Sequence, residues 1–152
     1  MIKVLIPINP EFKFYEKQVK KLYESKKEQI GDTNSFDFIK DKTFFYLFVL
    51  NKEILGGIYY FYDEDKLFVN GFANRKFLFE KLYCLLWSTT WFNTDIYAEA
   101  QNRASAFCLI KCGFKRVKDN LFVLKNNVRI WTQKGEKCHL ITLLKKTILK
   151  NN

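Results

Sequence analysis

The chain is poor in the residues that hold small or metal-dependent folds together. Its 152 residues contain four cysteines and one histidine, a density that excludes a disulfide-stapled scaffold. Cys84, Cys108, Cys112 and Cys138 therefore read as reduced, mostly buried thiols. Cys138 precedes the single histidine, His139, but neighbours on a strand point to opposite faces, so one metal could hardly take both. No metal site is expected. Two prolines and six glycines exclude collagen-like and linker-rich chains. No apolar run is long enough to span a bilayer. The opening run, residues 2–6, is broken by Lys3 and falls short of a secretory core. The expectation is a cytoplasmic protein with no membrane partner.

Acidic residues are also scarce, 16 Asp and Glu against 26 Lys and Arg, for a net charge of +10. A balance of that sign attracts nucleic acid, nucleotide phosphates or acidic protein surfaces. Lys13, Lys17, Lys20 and Lys21, with Lys26 and Lys27, crowd one segment. They read either as a solvated helix face or as a surface for an acidic partner. No nucleic-acid motif accompanies them, so that partner rests on charge alone.

What is present in excess is aromatic and apolar: 18% and 48% of the chain. That content suits one packed domain over residues 1–152. Residues 2–6 suggest a short strand. Asn9 and Pro10 open a helix whose apolar side is Phe12, Tyr15, Val19, Leu22 and Tyr23, ending at Gly31. Residues 32–41 are a loop or a short helical turn. Strands follow at Phe44–Leu50, Ile54–Tyr62 and Lys66–Asn70 as an antiparallel meander. Gly56 and Gly57 predict a bulge or a close backbone approach. A long helix from Arg75 to about Phe92 precedes a strand at Thr94–Ala100 and a helix at 103–112 stopped by Gly113. Two or three strands finish the chain within 114–117, 121–133 and 138–145, with a hairpin turn at Lys134–Glu136. The order β-α, β-β-β, α-β, α-β-β is an α/β (α+β) class: a mixed, mostly antiparallel sheet of six to seven strands with helices on both faces.

Asn102, Ser105, Gly113 and Phe114 carry a recognisable spacing. With the element order, it resembles the GNAT superfamily of N-acetyltransferases over roughly residues 44–145. There an Asn leads the last helix, a small residue follows three later, and Gly-Phe closes it. Ser105 with Lys111, and the ending Leu143 to Lys146, resemble the branch that modifies ribosomal-protein N termini. The resemblance implies a pocket for acetyl-CoA, whose pyrophosphate such proteins cradle on backbone amides before a helix. The matching stretch here is Phe68 to Ala73. Gly71 and Ala73 fit, and Asn74 and Arg75 offer donors, but Phe68 stands where the family has Arg or Gln. Where many members carry a tyrosine that reprotonates the thiolate, this chain has Leu109. A base for the attacking amine is sought in Glu99, with Asp95 on the same face; a solvated Glu99 at the sheet's edge is the plainer alternative. Asn102 and Ser105 would support the cofactor's arm.

Gly71, Ala73, Arg75, Phe77, Ser105 and Gly113 also resemble the small GNAT-like proteins of short-tailed bacteriophages. That second resemblance implies a virion-assembly role in host cytoplasm or virion, without acyl transfer. The leading expectation is a GNAT-fold binding or assembly module with a degenerate cofactor pocket, holding no cofactor and meeting an acidic or apolar protein surface. The alternative is an acyl-CoA-dependent N-acyltransferase, and the third a basic nucleic-acid-binding domain.

Overall fold

The computed structural model describes residues 1–126. Within them a seven-stranded sheet runs in the order β1-β2-β3-β4-β5-β7-β6. Its strands are β1 (Ile2–Leu5), β2 (Phe44–Leu50), β3 (Glu53–Asp63), β4 (Lys66–Ala73), β5 (Ile96–Glu99), β6 (Lys115–Lys118) and β7 (Leu121–Leu124). All neighbouring pairs are antiparallel except β4 with β5. A short 3-10 turn, Pro10–Phe14, precedes α1 (Glu16–Lys26), α2 (Phe36–Lys42) follows, and both pack on one face. Helices α3 (Leu78–Thr89) and α4 (Arg103–Lys111) cover the other. The expected fold class is the observed one. The strands expected at 138–145, the extension of the 121–133 strand past residue 126, the 134–136 turn and the Cys138–His139 pair lie outside the described residues.

Aromatic residues make the α1/α2 face. Phe45 sits among the rings of Phe12, Phe36 and Phe72 at centroid distances of 6.1, 5.8 and 6.2 Å. Burying each such ring contributes about 1.5–3 kcal/mol before entropy is counted. Lys40 of α2 ties this layer to Glu16 of α1 at 3.0 Å. On the other face α3 is apolar over most of its surface and buries Leu82, Tyr83, Cys84 and Leu86. Its last carbonyls are taken by its own hydroxyls: Ser88 donates to Leu85, Thr89 to Leu86 and Thr90 to Trp87. The chain therefore leaves the helix at Thr89 and not at Phe92.

Other expected boundaries move for local reasons. The Asn9 side chain accepts from the Glu11 amide at 2.9 Å, but it caps the 3-10 turn; the α-helix starts only at Glu16. Gly31, at φ +69°, ends the turn that follows α1. The polar stretch after it contains α2, capped by Ser35, whose hydroxyl accepts from the Phe38 amide.

The most consequential shift is in β4. The sequence ended this strand at Asn70 and made Gly71 to Ala73 a turn. Instead Gly71, Phe72 and Ala73 pair with Ile58, Gly57 and Gly56. The reason is fit: the Phe72 ring lies against Gly57, where a Cβ would come within 2.6 Å of it. The expected bulge is present. The β2–β3 register slips between Phe48 and Val49, leaving Leu55 unmatched. A Cβ on Gly56 would lie 2.8 Å from the Ala73 Cα and closer still to the Phe72 carbonyl oxygen.

Gly56→Ala should destabilise the fold by about 3 kcal/mol, because backbone and not a flexible side chain blocks the added methyl. Urea unfolding followed by tryptophan fluorescence checks this; a loss within the error of wild type refutes the steric account.

Candidate functional site

The parallel ladder between β4 and β5 has two rungs, Leu67 with Ile96 and Phe68 with Tyr97. Strand β4 continues to Ala73 and β5 to Glu99. The two strands separate there, and β5 turns its other edge to β7 along its whole length. The bulge in β3 adds right-handed twist at this end of the sheet, which helps to part them. The result is a cleft of about 590 Å³ that reaches from the end of α1 through the sheet to α3 and α4. Its floor is apolar: Phe48, Leu55, Ile58, Val69, Leu85, Ala98 and Leu109. Its β3 and β4 wall includes Gly56, Gly57, Gly71 and Ala73, with Asn70 and the Phe72 ring beside them. Four cations, Lys26, Arg75, Lys81 and Arg103, line it against one carboxylate, Glu99. An apolar slot with a cationic mouth fits an anion carried on a long, thin, mostly apolar arm.

The sequence-derived residues meet here unevenly. Gly71 and Ala73 line the cleft from within β4, not from a phosphate loop; the link to α3 is Asn74 to Phe77. Phe68 is not in that loop either, but stacks between Phe61 and Tyr97 at 5.9 and 5.8 Å. Arg75 lines the cleft, whereas Asn74 holds the link together: its amide donates to Leu55 and its side chain accepts from the Lys76 amide. Asn102 and Ser105 line the cleft, but as a reciprocal cap on α4: each side-chain oxygen accepts from the other's amide, at 2.9 and 3.2 Å. Their clear role is to start α4 beside the cleft. Glu99 is exposed at the cleft and alternates with Ala98 onto the α1/α2 face. Asp95 is engaged elsewhere, accepting from the Asn126 amide at 2.7 Å. Lys13, Lys17, Lys20 and Lys21 are all exposed and lie outside the cleft.

Sequence reasoning named Lys26 only within the basic segment of α1 and missed Lys81 and Arg103; the three converge on the cleft from three helices. It also missed two cleft thiols. Burial pushes the Cys84 thiol far up; burial raises Cys108 too, with Lys81 pulling the other way. Both are protonated near neutral pH, beside the position where Leu109 supplies no acid. Among the described residues no cluster of His, Cys, Asp and Glu could hold a metal, and no helix is long and apolar enough to cross a membrane.

A second cavity, about 670 Å³, opens on the α1/α2 face. Its walls are the loop Gly31–Asn34, the end of α2, and Phe44, Tyr59, Phe61, Tyr62 and Asn70. Asn70 also lines the cleft, so its side chain stands in the wall between the two spaces. That side chain donates to the Ile30 carbonyl at 3.2 Å and accepts from the Gly71 amide at 2.8 Å. Deeper in, Asp32 accepts from the Tyr59 hydroxyl and from the Asn34 amide and side chain. Burial pushes the Asp32 carboxyl up, but these bonds and one from Tyr23 outweigh it and hold the group below the ordinary Asp range. Burial, then the Asp32 bond, push the Tyr59 hydroxyl far up. Asp32 is thus an anion fixed by neutral donors.

A carboxyl depressed on folding stabilises above its unfolded value, about 3.9, and loses that contribution as pH falls through the folded one. Asp32→Asn should therefore melt below wild type at pH 7, and the gap should close as pH drops below about 4. Melting curves at pH 7 and pH 3 measure it; an unchanged gap contradicts the network's role.

No protein-family model and no curated protein sequence matches the chain. Solved structures do. The aminoglycoside acetyltransferase AAC(6')-Ib, crystallised with coenzyme A, superposes with a TM-score of 0.62 at 11% identity, over 88% of this chain and 99% of that one. An N-acetyltransferase from Staphylococcus aureus Mu50 gives 0.53 at 13% identity, over 81% and 93%. Neither bears on virion assembly. At these identities the likeness is one of architecture, and the fold of this chain is the GNAT fold.

Proposed function

We propose that the protein is an acyl-CoA-dependent N-acetyltransferase. The observation that carries this reading is the cleft where β4 and β5 part after two rungs. It argues against the degenerate pocket on which the assembly-module expectation depended: among the described residues no side chain closes the gap, and Phe68 points into an aromatic stack instead. The fold likeness to two acetyltransferases supports the same side. No comparable observation favours a virion or nucleic-acid role.

In this reading Arg75, Lys81, Arg103 and Lys26 hold the phosphates of acetyl-CoA, and the slot over Val69, Ala98 and Leu109 takes its arm. When bound, acetyl-CoA supplies an activated acyl group. Beyond Phe68 the edge of β4 has no strand partner, so a thioester can lie along it toward Ala73, past the Gly71 amide that the Asn70 carboxamide already holds. An ammonium that becomes an amide gives up two protons as its nitrogen bonds the acyl carbon and the carbon–sulfur bond breaks. One goes to a base and one to the departing sulfur. Glu99 is the carboxylate among the described lining residues and lies on the α1/α2 face, where the second cavity opens, so it serves as the base. Leu109 cannot return the second proton. Solvent or the neighbouring Cys108 thiol does so.

Acetyl-CoA at a hundred times its dissociation constant should stabilise the protein by about 2.7 kcal/mol, read as a rise in melting temperature. The double charge reversal Arg75→Glu with Arg103→Glu, both on the surface, should weaken that binding about tenfold or more. No rise at saturating acetyl-CoA would sink the proposal. Glu99→Gln should lower kcat about a hundredfold with the acetyl-CoA melting shift intact. Thiol release in the presence of an amine measures kcat, and a rate equal to wild type removes Glu99 from the mechanism.

A further inference from the structure

Had the β4–β5 ladder continued past Phe68 and Tyr97, Asn70 would stand opposite Glu99; instead the strands part. Both side chains line the cleft and lie on the α1/α2 side of the sheet. On that same side a row of near-parallel rings crosses three strands: Phe61 of β3, Phe68 of β4 and Tyr97 of β5, with centroids 5.9 and 5.8 Å apart. All three are only partly buried. Phe61 packs against the α1/α2 core, whereas Phe68 and Tyr97 join neither buried cluster. Glu99 is exposed, and among the described residues it makes no hydrogen bond or ion pair through its carboxylate. It follows Tyr97 by two residues on one face, about 7 Å along the strand. An unengaged carboxylate and an open ring row thus adjoin at the mouth of the cleft.

From this we infer that the α1/α2 side of the cleft binds a primary amine on an uncharged aromatic body, with Glu99 holding the ammonium and the Phe68–Tyr97 pair carrying the ring. A free carboxylate beside an apolar platform selects a cation over a neutral hydroxyl and an apolar body over a hydrated one. The far end of the platform is balanced in charge. There Lys66 stands opposite Asp63 and over the Tyr97 ring at 5.2 Å, and Lys125 pairs with Asp95 at 3.3 Å. That balance leaves no partner for a second charge of either sign on the ligand. Toward the cleft, Glu99 faces Lys26, Arg75, Lys81 and Arg103, a surplus that repels polyamines. Calling this amine the acyl acceptor rests on the N-acetyltransferase reading, in which Glu99 is also the base; its binding does not.

The test is calorimetric titration of the full chain, alone and with saturating CoA, using 2-phenylethylamine, 2-phenylethanol, n-butylamine and spermidine. 2-Phenylethylamine should bind about fivefold or more tighter than the alcohol, because its ammonium meets a carboxylate. It should also bind several-fold tighter than n-butylamine, which lacks the ring, and tighter than spermidine. Glu99→Gln, at an exposed position, should erase the preference for amine over alcohol. Tyr97→Thr keeps a strand-forming residue and should weaken both ring ligands several-fold while sparing that preference. Equal affinity for amine and alcohol, n-butylamine or spermidine as the tightest probe, a preference that survives Glu99→Gln, or unchanged binding to Tyr97→Thr overturns the inference. Parallel melting with acetyl-CoA separates the two ideas. A shift with acetyl-CoA but no amine binding overturns this inference alone. Amine binding without that shift supports it and overturns the N-acetyltransferase reading.

Discussion

The structure turns on one unfinished hydrogen-bond ladder. Main-chain amides and carbonyls at a sheet's centre are normally satisfied by the next strand, and leaving one buried without a partner costs about 1–3 kcal/mol. Strand β4 meets this requirement against β3 over eight residues, from Lys66 to Ala73, but against β5 for only two rungs. Beyond Phe68 its second edge is turned to the cleft. Such an edge in the middle of a sheet is tolerable only where solvent or a ligand can reach it. The surrounding glycines, the twist from the bulge and the start of α4 all serve to keep that access open.

Around this break the molecule sorts its charge. The overall excess of lysine is spread over exposed helix faces, where it decides little. At the cleft four cations face one carboxylate, while across the Asn70 wall the Asp32 carboxylate is already met by neutral donors. The two spaces thus differ in what they leave open to a charged partner. Burial alone would not produce this pattern, because both spaces are built from the same apolar sheet. It comes from which loop ends at which strand end: α3 and α4 begin at the cleft, and the loop after α1 crosses the opposite face.

Much of the architecture was legible in the chain. The meander, the helix–strand order after it and the irregularity at Gly56 follow from short-range patterns with a clear physical cause, whereas Asn102 was read only as a family position and turned out to cap α4. Gly71 was the instructive failure. A Gly-x-Ala run before a helix reads as a turn, yet a tertiary fit, the Phe72 ring over Gly57, kept it in the strand. That misplacement made Phe68 look like a blocked phosphate loop and so made the pocket look eroded. The cationic mouth and the Asp32 network were not legible at all. Lys26, Lys81 and Arg103, and likewise Asp32, Tyr59 and Asn70, come together only through the fold.

Asn70 has one more implication. Its carboxamide spends its oxygen on the Gly71 amide and its nitrogen on the Ile30 carbonyl, so it cannot swing or flip without giving up both. An occupant of either chamber that displaces this group reshapes the other chamber as well. Thermodynamic reciprocity then fixes the relation between the two occupants: whatever one does to the grip on its neighbour, the neighbour does in equal measure in return, whichever arrives first.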